Sequence, residues 1–484
     1  MTSVRTPQTR CLAAAARCDI TPPAGIYHRM WGAATHDRAT GVHRPLTATL
    51  LWLEPETGDS SQALVIVSLD HCLLDDADIH QMRDSIAAAT GIRAEQSQIA
   101  VSHTHAAGFM SRSRADQPGG EMIRTDHFAA RLVGPYLDRL TEQLGKLAAS
   151  AKHRLQPATI VYGTGRCNLA QNRDFFDEER QQFVCGFNPK GPADDTLLVA
   201  KVVSAESQPL AVVINYACHA TTLAWQNTLV SPDYLGAMRE TVEHAAQAPC
   251  LFLQGASGDL GPRVGFVGDT AVADKSGRQL GYAVLATLES LPPPGTHYVY
   301  AGPVVSGATI GTWRHESLTT SAASWQTAAL DVELKYRPEL PAVADTEAEL
   351  ARAKTVETIA KAAGDDGRAR DCRAQCERMT RQLWMLKALP PGPAFPLRVT
   401  LARLGDATWL FLPGEHYQAL QTTLRSRFPH QLLIVATITN GWQPGYIPPA
   451  ETYRKGIYQE QIAVVDAGSA EAISETVRKQ IERL

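Results

Sequence analysis

No stretch of the 484-residue chain approaches the roughly 18 consecutive apolar residues that a membrane-spanning helix needs. A charge excess is missing as well. Lys and Arg number 46 against 50 Asp and Glu, a formal net charge of −4, whereas binding nucleic-acid phosphates calls for a basic surplus or stripe. Aromatic residues are sparse at 7%, yet 44% of the chain is hydrophobic. With so small a net charge, that content excludes disorder as the dominant state. There is no CxxC pair. The nine cysteines, at 11, 18, 72, 167, 185, 218, 250, 372 and 376, form an odd, scattered set that reads as reduced buried thiols rather than a disulfide framework. The N-terminal MTSVRTPQTRCLAAAARCDITPP offers only LAAAA where a signal peptide needs ~7–15 apolar residues. A cytoplasmic location is therefore expected, a secreted form with its leader removed being the alternative. The sequence shows no internal repeat, low-complexity tail or Pro/Ser-rich linker. Length alone allows two or three domains, or one large sandwich with insertions.

What is present is a strand, helix, strand rhythm. TATLLWLE and ALVIVSLD, separated by a Gly/Asp/Ser turn, are apolar runs suited to buried strands. LDDADIHQMRDSIAAATG predicts a helix, with Asp75 or Asp76 at its start and Gly91 as its stop. SQIAVSHTHAAG reads as a strand entering a loop, 127–150 as a helix, and TIVYGTG as a strand. LLVAKVVSAESQPLAVVINYACHA reads as two strands, and PCLFLQGASGDLGP as a strand running into a Gly-rich turn. The alternation indicates an α/β sheet core. Residues 344–389, rich in Ala, Glu, Lys and Arg and broken at GDDG, read as two helices in a hairpin. Cys372 and Cys376 share a face of the second. They read as buried small residues, or alternatively as a metal pair. LRVTLARLGDATWLFLPGE and LLIVATITNG return the chain to strands.

Several residues are of types that carry chemistry. His103 and His105, in SHTH after a strand run, are at i and i+2, so in extended backbone both imidazoles share a face. Ligand crevices in α/β sheets lie at such strand ends. His219 ends the strand pattern VVINYACHA; it reads as a ligand or a satisfied structural residue. Glu415 follows a Pro-Gly turn in WLFLPGEHY, oriented either toward a site or as a first-turn residue of the next helix. Ser257 and Asp259 stand in QGASGDLGP, which matches neither GxSxG nor a P-loop. Asp70 reads equally as support for a site or as a strand-end cap.

In order, GVHRPLTATL, SHTH, NLAQNRDFF, NYACHATTL, SPDYLGAM, LQGASGDLGP, LPGEHY and GYIPPAETYRKGIYQ resemble the neutral ceramidase (neutral/alkaline non-lysosomal ceramidase) family, from about Asp19 to Gln459. The resemblance is weakest between Ser306 and Phe395. It implies a large mixed-sheet α/β sandwich flanked by helices, one catalytic domain over 12–484. The 344–389 hairpin would be inserted in it, and the family's C-terminal immunoglobulin-like domain would be lacking. It also implies Zn²⁺ held by His103, His219, Glu415 and Tyr446, with His105 lining the site as acid for the leaving amine. Tyr446, Tyr453 and Tyr458 reproduce the family's tyrosine spacing of seven and twelve. Arg173, from NLAQNR, and Tyr458 would stabilise the oxyanion, with Tyr453 beside them among the catalytic residues.

Zinc accepts imidazole and carboxylate donors, and a phenol can join them by ionising beside the cation. The implied activity is hydrolysis of an amide bond in a small-molecule or lipid-like N-acyl substrate, ceramide by default, with room for a homo-oligomer and no nucleic-acid partner. An esterase, lactonase or amidase for a smaller substrate is the runner-up. A non-catalytic metal-stabilised binding protein and a serine hydrolase using Ser257 are the readings from other classes. Two departures bear on substrate: Ala106–Met110 replace the family's Ser-Gly-Pro-Gly-Gly, and Gly261 precedes Pro262 where Ser or Thr is usual.

Overall fold

A computed structural model describes residues 2–108, 110–112, 131–319 and 324–484. Phe109 and the 127–130 part of the expected 127–150 helix lie outside the described residues; the helix is described over Val133–Lys152.

Two sheets face each other, with helices on both outer sides. The larger has eight strands, in the spatial order Cys250–Gln254, Pro209–Tyr216, Thr196–Ser204, Gln156–Arg166, Gln8–Asp19, Thr47–Glu54, Leu64–Leu69 and Ser97–Val101. The smaller has four: Trp325–Lys335, Ala394–Leu404, Ala407–Phe411 and Leu432–Ala436. Inner-face residues of both, among them Leu51, Ile66, Val213, Leu253, Trp409 and Ile434, form one core between the sheets. Outside the large sheet, helices Asp76–Thr90 and Val133–Lys152 cover one half; Tyr234–Ala246 and Thr270–Glu289 cover the other. Gln418–Arg427 and Ser469–Ile481 cover the small sheet. Burial on both faces explains why runs such as ALVIV are continuously apolar. The mixed-sheet sandwich expected from the sequence is what the chain forms. LAAAA is the middle of strand Gln8–Asp19.

The large sheet is built twice over. Each half runs strand, antiparallel hairpin, helix, parallel strand, helix, and the halves join where Gln8–Asp19 pairs antiparallel with Gln156–Arg166. This repeat of topology leaves no trace in the sequence, because burial on two faces demands apolar character at each position rather than identity. Each half ends in a parallel pair: Leu64–Leu69 with Ser97–Val101, and Pro209–Tyr216 with Cys250–Gln254. Drawn flat, these pairs point to opposite ends of the sheet. Strand twist of roughly 20–25° per step accumulates over seven steps to about half a turn, and the sheet also curls. Cys250–Gln254 packs across the strands of the other half, and the Ser68 hydroxyl donates to the Phe252 carbonyl at 2.7 Å. The C-terminal ends of both pairs are thereby brought together.

The expected helical pair is present as Val343–Ala362 and Asp366–Ala388. Cys376 packs between them against Leu350 and Ala353, which is the plain small-residue reading. The second helix docks on the body of the protein by stacking Trp384 on Trp442, ring centroids 4.6 Å apart. A buried ion pair from Arg29 to Glu377 at 2.8 Å adds to it.

Candidate metal centre

Four strand ends and one short parallel ladder converge on a point. His103 lies two residues past Ser97–Val101 and has left-handed backbone at φ 62, a strained conformation for a residue with a Cβ. His219 lies three residues past Pro209–Tyr216. Glu415 and Tyr446 are register partners in a two-residue parallel ladder between the small sheet's strand ends. The turn before Glu415 requires glycine, since Gly414 has φ 83 and a Cβ there would meet the Gly445 carbonyl at 3.1 Å. Because helix Gln418–Arg427 begins later, Glu415 is not a first-turn residue.

The donor atoms face one another. His103 Nε2 is 3.1 Å from His219 Nε2, Glu415 Oε2 is 3.1 Å from His219 Nε2 and 3.3 Å from His103 Nε2, and Tyr446 Oη is 3.2 Å from His219 Nε2. Behind each ring a backbone carbonyl fixes the tautomer. His103 Nδ1 donates to the Cys72 carbonyl at 2.9 Å, and His219 Nδ1 to the Ser257 carbonyl at 2.7 Å. With both protons held at Nδ1, two imidazole lone pairs point at each other beside a carboxylate and a phenol oxygen. Such an arrangement is repulsive unless a cation lies between them, so the donor set fits a divalent ion with nitrogen and oxygen ligands. Cys72, His103 and His105 form a second, overlapping set.

Electrostatics run in the same direction. Burial, reinforced by Arg173, holds His219 down to about 3, so its ring is neutral. Burial and the neighbouring His103 and His219 hold His105 well below the usual histidine value. Burial pushes the Glu415 carboxyl up, but His103 and His219 outweigh it and leave it well below the carboxylate range. Burial likewise raises the Tyr446 hydroxyl, with Arg173 opposing. His103 is the exception: against burial, Cys72 and Glu415 carry it well above 6.5, so in the absence of an ion it keeps the cluster's proton.

The other expected residues separate. His105 Nε2 is 3.4 Å from His103 Nε2, with its ring against Trp31 at 5.2 Å, and it lines the cavity in front of the centre. Tyr458 lines the same cavity, 6.1 Å ring to ring from Tyr446. Arg173 does not reach the cavity. It approaches from behind, donating to Tyr446 Oη at 2.9 Å and the Gly258 carbonyl at 2.7 Å, so it positions a ligand. Tyr453 is not brought in. The turn over Ala450–Thr452 carries it away, and its hydroxyl donates to the Val465 carbonyl at 2.8 Å while Arg337 covers its ring. Ser257 Oγ is on the Nδ1 side of His219, at 3.3 Å, and buried. It faces away from the cavity, which disfavours it as a nucleophile. Asp70 is a structural anchor: Arg239 clamps it at 2.8 and 2.9 Å, and the Thr47 amide donates to it. Asp259 accepts from the Gln418 amide and side chain, and Asp233 from the Leu223 amide. These motif carboxylates thus hold the loops that carry the ligands.

The cavity, about 250 Å³, is walled by Met30, Trp31, Leu73 and Trp442 and, on one side, by Arg378, Arg381, Trp384 and Met385 of the second hairpin helix. No sequence signal marked the Cys72 and Ser257 carbonyls, since every residue has one. Arg378 and Arg381 had a faint signal, their spacing on one helical face.

In fold, and over about half its length in sequence, this chain is similar to neutral ceramidases. The neutral ceramidase of Oryza sativa subsp. japonica is 24% identical over 240 residues, which cover 47% of this chain and 28% of that protein, little more than a quarter of its length. The crystal structure of neutral ceramidase from Pseudomonas aeruginosa superimposes with a TM-score of 0.63 at 15% identity, covering 99% of this chain and 75% of that one. A ceramidase complexed with C2 gives 0.64 at 16% identity, covering 99% and 76%. No protein-family model matches the chain.

Proposed function

We propose that this protein is a zinc-dependent hydrolase that cleaves the amide bond of an N-acyl substrate. The observation that carries the reading is the pair of tautomer-locked imidazoles aimed, with Glu415 and Tyr446, at one point on the floor of an open cavity. A purely structural zinc site is closed off from solvent; here His103, Glu415 and Tyr446 line space that a substrate can enter, which leaves room for a further ligand beside the four protein donors. The likeness to rice and Pseudomonas proteins named as neutral ceramidases supports amide chemistry.

His103, His219, Glu415 and Tyr446 would hold the ion. When bound, zinc supplies Lewis acidity at the scissile carbonyl and lowers the pKa of a water molecule. Tyr458, which lines the cavity, donates to the carbonyl oxygen as charge builds on it. Arg173 keeps Tyr446 oriented. His105 Nε2, on the cavity wall next to the ligand cluster and neutral at rest, takes a proton from the attacking water and passes it to the leaving amine nitrogen. Trp31 braces that imidazole, and the apolar wall excludes water around the acyl group.

The walls also favour a second reading of the substrate. At about 250 Å³ the cavity is smaller than the roughly 300–1,000 Å³ typical of ligand sites, because the hairpin helix closes one side. A shorter acyl group than that of a long-chain ceramide fits this space, in an amide or an ester. The deciding experiment is metal analysis together with turnover of an N-acyl amide series of graded chain length by wild type and His219→Ala. We expect about one zinc per chain, amide turnover favouring short acyl chains, and loss of both zinc and turnover in the variant. Amide turnover insensitive to His219 would overturn the assignment. Ester turnover without amide turnover would move it to the esterase class.

A further inference from the structure

The second hairpin helix puts Arg378 and Arg381 three residues apart, on one helical face, and both line the cavity over the metal centre. Among the described residues the lining includes one carboxylate, Glu415, which is committed to His103 and His219. Nearby acids are engaged elsewhere: Glu377 with Arg29 at 2.8 Å and Arg373 at 3.4 Å, and Glu460 with Arg337 at 3.0 Å. Arg378 donates to Gln461 Oε1 at 3.2 Å. Arg381, half-buried between Trp384 and Tyr458 in the same wall, has neither a hydrogen bond nor an ion pair among the described residues. It is close enough to the Tyr458 hydroxyl to act on it electrostatically, and the Tyr458 ring is 6.1 Å from that of Tyr446. Arg381 is also within electrostatic reach of Glu377, whose carboxylate is held by Arg29 and Arg373, so a guanidinium with no direct carboxylate partner among the described residues stands in the wall beside the reacting centre.

We propose that the substrate is an anionic amide, an N-acyl compound whose amine part carries a carboxylate, and that Arg381, assisted by Arg378, receives that carboxylate. A guanidinium presents its N–H groups as a planar fork that matches a carboxylate in two parallel bonds, an interaction strengthened where water is excluded. The apolar wall takes the acyl group, and the arginine pair takes the opposite end. The amine part of a ceramide is uncharged and leaves both arginines unanswered; an N-acyl amino acid answers them. The inference rests on amide hydrolysis at the metal centre and narrows it to a substrate class.

The test compares N-octanoylglycine with its uncharged carboxamide, scoring release of octanoate by the protein as purified. A charge-assisted pair of this kind predicts a kcat/KM preference for the anion of roughly tenfold or more. In Arg381→Gln the ratio of the two substrates falls toward one. Arg381→Lys keeps part of it, because the charge remains and the fork is lost. Calorimetry with the same two compounds reads binding without turnover, and the anion should bind more tightly to wild type but not to Arg381→Gln. Equal affinity of the two compounds for wild type, or an anion advantage that survives Arg381→Gln, overturns the proposal. If neither compound is hydrolysed, the amidase reading fails while calorimetry still decides whether Arg381 is an anion site. If the carboxamide is hydrolysed as well as the acid, the amidase reading stands and the anion site falls.

Discussion

The two halves of the large sheet reach the metal centre by the same device with the roles exchanged. In the first half the histidine, His103, follows the edge strand Ser97–Val101, and its carbonyl partner, Cys72, follows the inner strand Leu64–Leu69. In the second half His219 follows the inner strand Pro209–Tyr216, and Ser257 follows the edge strand Cys250–Gln254. Both carbonyls belong to the third residue past their strands. The architecture therefore requires an imidazole whose Nδ1–H is held by its parallel neighbour, and either strand can supply either partner. The halves differ in strain. His103 has two residues in which to turn and takes a left-handed backbone at φ 62, whereas His219 has three and is absent from the positive-φ residues. They differ in proton too, His103 being held high and His219 down to about 3.

If the halves are equal partners in binding, His103→Ala and His219→Ala should each take bound metal from about one ion per chain to none, and amide turnover to background. Metal analysis that finds either variant still loaded breaks the equivalence. The proton asymmetry gives the next largest effect. In the ion-free protein the raised His103 value means that below it a proton and the metal compete for one nitrogen. The His103 proton should thus lower zinc affinity by about tenfold per pH unit on acidification below 6.5, and its contribution should vanish above the raised His103 value. His219, already neutral above about 3, adds nothing there. Competition titrations with a chelator should therefore show one proton per ion from His103 beside the one Tyr446 releases as it ionises, and a further proton would show that both halves titrate.

Strain should appear in stability rather than in binding. Glycine adopts positive φ without a Cβ clash, so His103→Gly should cost the metal-free protein less than His219→Gly by about 1 kcal/mol, read as a difference in urea midpoint. Equal midpoints would remove strain from the comparison. The smallest effects belong to the side chains behind the rings. Cys72→Ala and Ser257→Ala keep the carbonyls that fix the tautomers, so each should lower zinc affinity less than the roughly tenfold to hundredfold usual for losing a supporting group. A larger loss in one variant would mean that its thiol or hydroxyl, rather than the carbonyl, holds the ring.

Much of this was legible in the chain. The apolar runs around Trp52, Val65, Val213 and Leu251 are strands because both their faces are buried, and Gly91 ends its helix in the left-handed conformation at φ 77. The four candidate ligands are named through the resemblance of the motifs to neutral ceramidases, and the fold brings their donor atoms to one point. Tyr453 was misplaced by spacing alone, since a count of residues does not see the turn over Ala450–Thr452. The topological doubling and the half-turn of twist are sums over many backbone steps, each too small to mark any residue. The hairpin could be read as helical, but which face meets the cavity depends on Trp384 finding Trp442 and on Arg29 finding Glu377, contacts made across the fold.

The strands on either side of that hairpin are each other's neighbours. Trp325–Lys335 and Ala394–Leu404 pair in unbroken register from Trp325 opposite Leu404 to Lys335 opposite Ala394. The helical pair is therefore the closing loop of a ladder that is complete without it, and loop length costs a ladder little. None of the four ligand residues sits on it. A graft of a longer, shorter or differently charged hairpin at Lys335 and Ala394 should leave the four proposed ligands in place while redrawing one wall of the chamber. On the proposed reading, the residues that would hold the ion and one wall of the chamber in front of it belong to separate segments, so that wall can vary without them.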